Sequence, residues 1–146
     1  MSDKKKIIIG SDHAGFEMKH SIISNLSDIE FKDIGTDSDE SVDYPDYANK
    51  LVKGIQSNSY SFGVLICGTG IGMSMSANRT KDIRAALCLN TKMAELARQH
   101  NNANILVLGS RLISVPEAIK CLIVVLDTNY EGGRHQARLD KFNLVG

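Results

Sequence analysis

Tryptophan is absent from this 146-residue sequence, aromatic residues make up only 5% of it, and proline occurs twice. So little proline excludes collagen-like and mucin-like chains, and 42% apolar against 23% charged residues excludes a disordered one. An excess of either charge is also missing, since 17 Lys and Arg balance 17 Asp and Glu. The chain therefore has no general attraction for nucleic acid or an anionic membrane, and any anion it binds must be held by local groups. Its three cysteines, at 67, 88 and 121, form no Cys-x-x-Cys pair, and no histidines stand at zinc-ligand spacing. A disulfide framework and a metal centre are not expected, and a reducing cytoplasm is the simplest setting. Long apolar runs are lacking as well: MSDKKK is followed by three isoleucines, and the longest run is Cys121 to Leu126. No signal peptide or membrane span is expected, and the length suits one domain over residues 1–146.

What is present is an alternation of two periods. Ile7 to Ile9, Phe62 to Cys67, Arg84 to Leu89 and Ile105 to Leu108 are short apolar runs, as expected of strands buried on both faces of a parallel sheet, with a weaker strand at Glu30 to Ile34. Between them, Phe16, Lys19, Ile22, Ile23 and Leu26 recur at helical spacing, as do Ala48, Leu51, Val52 and Ile55. Thr91 is placed to cap a helix over Lys92 to Arg98. Ser114-Val115-Pro116-Glu117 combines a capping box with a helix-initiating proline, and a short helical tail runs from Gln136 to Phe142. Strand and helix in turn imply right-handed crossovers and an α/β fold, an open, doubly wound, mostly parallel sheet of five strands. In such sheets ligands sit beyond the carboxyl ends of the strands. Ser11-Asp12-His13, Gly68-Thr69-Gly70-Ile71-Gly72 and Gly109-Ser110-Arg111 all follow strands directly. The stretch from Asp33 to Asp46 holds six acids and no Lys or Arg, and reads as a solvated loop in which Tyr44 is the functional candidate.

Three glycines at alternate positions remove side chains and let backbone N–H groups converge on an anion. The spacing is not that of a dinucleotide fingerprint or a Walker loop, and close strand–helix packing would also use such glycines. Cys67 stands just before this loop, near a helix N-terminus where amide dipoles favour a thiolate, although buried inert cysteine is common. Cys88 and Cys121 lie inside apolar runs and read as inert. Asp12 and His13 face the same crevice and suit proton transfer or anion binding, while Asp12 alone would equally serve as a helix cap. His100 and Asn101 end a helix, where a histidine also complements the dipole. His20 reads as exposed. Arg134 and Arg138 are four apart and project from one face of a helical tail. With Arg111, they could grip one dianion.

Together, Gly10-Ser11-Asp12-His13-Ala14-Gly15, Asp43-Tyr44-Pro45, Ile66-Cys67-Gly68-Thr69-Gly70-Ile71-Gly72, Arg98-Gln99-His100-Asn101 and Tyr130-Glu131-Gly132-Gly133-Arg134-His135 closely resemble the ribose-5-phosphate isomerase type B family over nearly the whole chain. The resemblance implies a Rossmann-like α/β/α sandwich and a homodimer, paired into a tetramer in some members. It implies interconversion of ribose 5-phosphate and ribulose 5-phosphate in the pentose phosphate pathway, without metal or organic cofactor. By the same resemblance Cys67 is the base, residues 68–72 form the anion hole, and Asp12 and His100 open the sugar ring. His13, Arg111, Arg134 and Arg138 hold phosphate, and Tyr44, Thr69 and Asn101 touch the substrate nearby. One branch uses a glutamate where this chain has Met73, so Cys67 with Met73 resembles the cysteine branch. Such a site is expected to lie between subunits. The alternatives are a hexose 6-phosphate isomerase acting on allose or galactose derivatives and, from a different class, a non-catalytic nucleotide-binding module.

Overall fold

The computed structural model describes residues 4–143. Its strands are β1 (Lys5–Ser11), β2 (Ile29–Asp33), β3 (Gly63–Cys67), β4 (Ala85–Leu87) and β5 (Ile105–Gly109). They form one sheet in the order β2-β1-β3-β5-β4, and every ladder is parallel. The two strands with uninterrupted apolar sequence, GVLIC and ILVLG, are buried at every position and lie side by side near the centre. Fully burying each Val, Leu or Ile of this kind contributes roughly 1.5–3 kcal/mol, so the least polar segments take the positions with the least water. β2, with sequence IEFKD, is half exposed and takes an edge.

The helices are α1 (Phe16–Asn25), α2 (Tyr44–Gln56), α3 (Ile71–Ala77), α4 (Thr91–Asn101), α5 (Val115–Asp127) and α6 (Arg134–Leu139). Single 3₁₀ turns at His13–Gly15 and Asp140–Asn143 precede α1 and follow α6. One core layer joins Met18 and Ile22 of α1, Ala94 and Ala97 of α4, and Cys121 and Leu122 of α5 to Ile9, Val64, Ile66 and Leu106 of the sheet. The opposite layer joins Leu51 and Ile55 of α2 and Met73 of α3 to Ile8, Leu65 and Val107. Connections that step toward the β2 edge use α1 and α4, and those that step toward the β4 edge use α2 and α3. This segregation follows from a single crossover hand.

β1 therefore leaves the sheet toward one face and β3 toward the other, and the same holds for β3 and β5. The loop after β3 thus lies at two crevices at once, which is where an α/β sheet binds ligands. Local details depart from the periodicity in four places. β4 is only three residues long. The cap of α4 is Asn90, whose side chain accepts from Met93 N–H, so the helix starts at Thr91 instead of being capped by it. α3 carries no clear apolar stripe in the sequence, and α6 begins at Arg134, two residues before the expected tail. Ser114 does cap α5, accepting from Glu117 N–H at 3.3 Å. No helix of the described residues is long and apolar enough to cross a membrane.

Candidate active site

At the carboxyl edge of the sheet, three loops are bonded into one surface. Ser110 N–H and Arg111 N–H donate to the carbonyls of Cys67 and Gly68, each at 2.9 Å, and Ser110 Oγ donates to Ala14 O at 2.8 Å. The loops after β1, β3 and β5 are thereby held together across the middle strand. Cys67, the last residue of β3, is buried, and its Sγ accepts from Gly70 N–H at 3.1 Å. A backbone donor is thus held against the sulfur. Gly70 makes this possible by adopting φ +78°, a left-handed conformation that turns the chain back over Cys67 before α3 begins. Thr69 Oγ1 accepts from Ile71 N–H at 3.2 Å. The next N–H groups of α3, those of Gly72 and Met73, have no carbonyl within the helix to accept them, as at any helix N-terminus.

Side chains close over the loop where glycine leaves room. The Arg111 guanidinium lies against Gly68 where a β-carbon would stand, and the Tyr44 ring does the same at Gly72, 2.6 Å from that position. Tyr44 is the first residue of α2, outside the acidic loop proper, and is partly exposed. Asp12 is buried, and its Oδ1 accepts from Gly15 N–H at 3.1 Å, so it caps the turn after β1. His13 Nδ1 accepts from Val42 N–H at 3.1 Å. The ring proton is therefore on Nε2, which leaves an N–H donor for an anion.

His100, Asn101, Arg134 and Arg138 lie elsewhere. α4 runs antiparallel to the strands, so its last residues reach the amino edge, where Asn104 O accepts from Gly63 N–H and Asn104 Oδ1 from Arg84 N–H. α5 also ends there, with Lys5 Nζ donating to Leu126 O at 3.0 Å and paired with Asp127. The arginine tail follows from that edge, with both guanidinium groups exposed. Four strand steps separate Gly63 from Cys67, about 13 Å along the strand. One chain thus carries two separate groups of the expected residues. Clefts of about 680 and 940 Å³ sit beside β4 and along the amino edge, and neither is lined by Asp12, His13, Cys67 or residues 68–72.

Three features were not legible in the sequence as site elements. Lys19 is wholly buried in α1, with Nζ 2.7 Å from Asp33 Oδ1 and 2.6 Å from Thr36 O. The signal was its place on the apolar face of the helix. Val42, whose N–H orients His13, has no signal in a backbone contact. His100, Glu131 and His135, far apart in conventional ligand spacing, meet at the end of α4. Burial pushes the His135 imidazole below its ordinary value of 6.5, the neighbouring His100, Arg134 and Arg138 add to this, and Glu131 opposes it. Cys88 and Cys121 are buried in the core, and burial above all pushes their thiols up to about 12 and about 11. Both are inert.

The chain is an α/β sandwich with a thiol, a glycine loop and an arginine gathered at the carboxyl ends of its strands. The family model described as Ribose/Galactose Isomerase matches residues 7–142. A crystal structure of a ribose 5-phosphate isomerase from Thermotoga maritima superposes with a TM-score of 0.95 at 55% identity, covering 97% of this chain and 99% of that one. The ribose-5-phosphate isomerase B of Escherichia coli strain K12 is 41% identical over 143 residues, 97% of this chain and 96% of the relative. A ribose-5-phosphate isomerase B from Mycoplasma genitalium, solved with bound ribulose-5-phosphate, matches with a TM-score of 0.89 at 43% identity, covering 96% and 95%. The chain belongs to the ribose/galactose isomerase family.

Proposed function

We propose that this chain is an aldose–ketose isomerase that interconverts ribose 5-phosphate and ribulose 5-phosphate. The observation that carries the reading is Cys67 at the carboxyl end of β3, its sulfur held by Gly70 N–H and the α3 N-terminus immediately beyond. Isomerisation removes a weakly acidic proton beside a carbonyl and develops charge on the enediolate oxygen, so it requires one base and preorganised N–H donors. The Cys67 thiolate takes the proton from C2 of the open-chain aldose and returns it to C1, while the O2 hydroxyl proton passes to O1 of the enediolate. Over the same interval the N–H groups of residues 68–72 hold the oxyanion, and Thr69 Oγ1 supplies a further polar contact. Asp12 and His100 serve the preceding ring opening by moving the proton between ring oxygen and anomeric hydroxyl. His13 Nε2–H, Arg111, Arg134 and Arg138 hold the phosphate, which is remote from the bond changes and contributes orientation. Tyr44 and Asn101 flank the sugar.

The two edges of the sheet cannot serve one substrate within a single chain. A two-fold dimer answers this, because an isologous interface brings the His100–Asn101 and Arg134–Arg138 edge of one protomer to the crevice of the other, twice. The substrate class is a small sugar phosphate, with a homodimer as the working unit and a cytoplasmic setting suited to three free thiols. The test is turnover by the purified chain of ribose 5-phosphate, allose 6-phosphate and galactose 6-phosphate, with size measured in the same buffer. Ribose 5-phosphate is expected to be the preferred substrate of a dimer. Preference for a hexose phosphate would move the assignment to the galactose side of the family, and turnover of none, with phosphate still bound, would leave a non-catalytic binding module.

A further inference from the structure

The residues gathered beyond the end of α4 point to a second ligand. Gly132 and Gly133, with φ of +69° and +59°, turn the chain sharply before α6, while Glu131 N–H donates to Gln99 O at 3.0 Å and ties that turn to the helix end. The result is that Glu131 Oε1 stands 3.7 Å from His135 Nε2 and 3.9 Å from His100 Nε2. All three donor atoms lie within 4.8 Å of one another, and the two imidazoles are stacked with centroids 4.4 Å apart. These distances are too long for hydrogen bonds, so three Lewis bases face one another without sharing a proton. The His135 side chain is nine-tenths buried, and among the described residues no hydrogen bond fixes its ring. Around zinc, with bonds of about 2.0–2.1 Å, neighbouring ligand atoms of a tetrahedron are about 3.3 Å apart. The two nitrogen–oxygen separations are within several tenths of that value. His100 and Glu131, with more exposed side chains, are the ones able to swing inward on a fixed His135.

We propose that His100, Glu131 and His135 form a binding site for Zn²⁺, two imidazoles and one carboxylate with a fourth position open to water, and that the ion switches the isomerase off by withdrawing His100 from the sugar. The site itself stands on geometry alone. Its inhibitory consequence rests on the role given to His100 under the proposed function. Zinc here takes no part in turnover, and a chelator is expected to restore activity.

Equilibrium dialysis with Zn²⁺ and no substrate tests the site, using a Cys67→Ser background so that the active thiol cannot be the ligand. One ion per chain is expected, with affinity reduced at least tenfold by either His135→Ala or Glu131→Gln. Glu131→Gln guards against a folding defect from the buried histidine. Co²⁺ in place of Zn²⁺ is expected to give a visible ligand-field spectrum without a thiolate charge-transfer band. Binding that survives both substitutions overturns the site. With Cys67 intact, inhibition of ribose 5-phosphate turnover is expected to weaken in step with binding in the two variants. Inhibition undiminished in both would assign it to Cys67 and overturn the switch. A chain that binds Zn²⁺ as described yet isomerises no sugar phosphate would retain the site and lose the functional reading.

Discussion

Replacing Lys19 by Met removes a charge from the core at nearly constant length. The ammonium is wholly buried and donates to Asp33 Oδ1 at 2.7 Å and to Thr36 O at 2.6 Å. Hydrogen bonds that involve a charged group are each worth about 1.5–3 kcal/mol, and stranding the partner of a buried pair costs about 3–5 kcal/mol. The Asp33 side chain is 33% exposed and keeps the Gly35 N–H at 2.9 Å, so water and that donor offset part of the loss. Dropping the desolvation of the ammonium offsets more. A net destabilisation of about 2–4 kcal/mol is expected for Lys19→Met. The converse change, Asp33→Asn, strands a cation with no exposure at all and is expected to cost more. The double variant should recover part of the sum, as in any pair that couples. Urea unfolding at one fixed protein concentration measures all three, through the midpoint at unchanged slope. Since Thr36 begins the segment that leads to Val42 and His13, a raised KM for the sugar phosphate should accompany the lost stability. A Lys19→Met midpoint within about 0.5 kcal/mol of wild type, or a milder effect from Asp33→Asn, would refute the reasoning.

Cys67→Ala is expected to lower turnover at least about a hundredfold with little change in phosphate affinity, and near-normal turnover would remove Cys67 as base. Arg138→Ala, and likewise Arg134→Ala, should weaken substrate binding by roughly 1.5–3 kcal/mol, read as KM, whereas unaltered kinetics in both would leave these groups merely solvated. Mixing Cys67→Ala with an Arg134→Ala/Arg138→Ala double variant and allowing subunits to exchange should restore about one quarter of wild-type activity. Half of the randomly formed dimers are hybrids, each with one intact site. Proven exchange without recovery would show that each chain holds a whole site. Titration of the native protein with a thiol reagent at pH 8 should label Cys67 alone, because burial pushes Cys88 up to about 12 and Cys121 to about 11 from an ordinary 9.0. The folded state holds those two protons more tightly than the unfolded one, so their contribution to stability is complete below about pH 9 and declines above it. An unfolding midpoint flat from pH 9 to pH 11 would contradict that.

The sheet was readable because its two inner strands β3 and β5 are apolar without interruption. FGVLIC and ILVL leave few alternatives to burial on both faces, and the helices between them repeat at 3.6 residues. α3 escaped that reading because IGMSMSA buries only Met73 and Ala77, and its position is set by the loop before it more than by an apolar stripe. The carboxyl-edge half of the candidate site was legible as a place in the fold, since Asp12 follows β1 directly, Cys67 ends β3 and Arg111 stands two residues after β5. The amino-edge half was not placed by spacing. That His100 meets Glu131 and His135 depends on where α4 and α5 end relative to the sheet, a tertiary property that no local window contains. The buried Lys19 shows the opposite failure, where helical spacing put it on the inner face and only the structure supplied its partners.

The strand order carries a consequence for the chain as it is made. β4 pairs with β5 alone, and β5 is the last strand synthesised. Until residue 109 has emerged, β4 has no ladder to join, and β3, with its GVLIC sequence, is an uncovered edge of the three-stranded partial sheet β2-β1-β3. Such an edge is a template for wrong pairing with another chain. A ribosome stalled anywhere between the end of β3 and the end of β5 therefore presents the stickiest strand of the molecule to its neighbours. Fragments that stop within this window should accumulate as aggregates, whereas completing β5 seals the edge in a single late step.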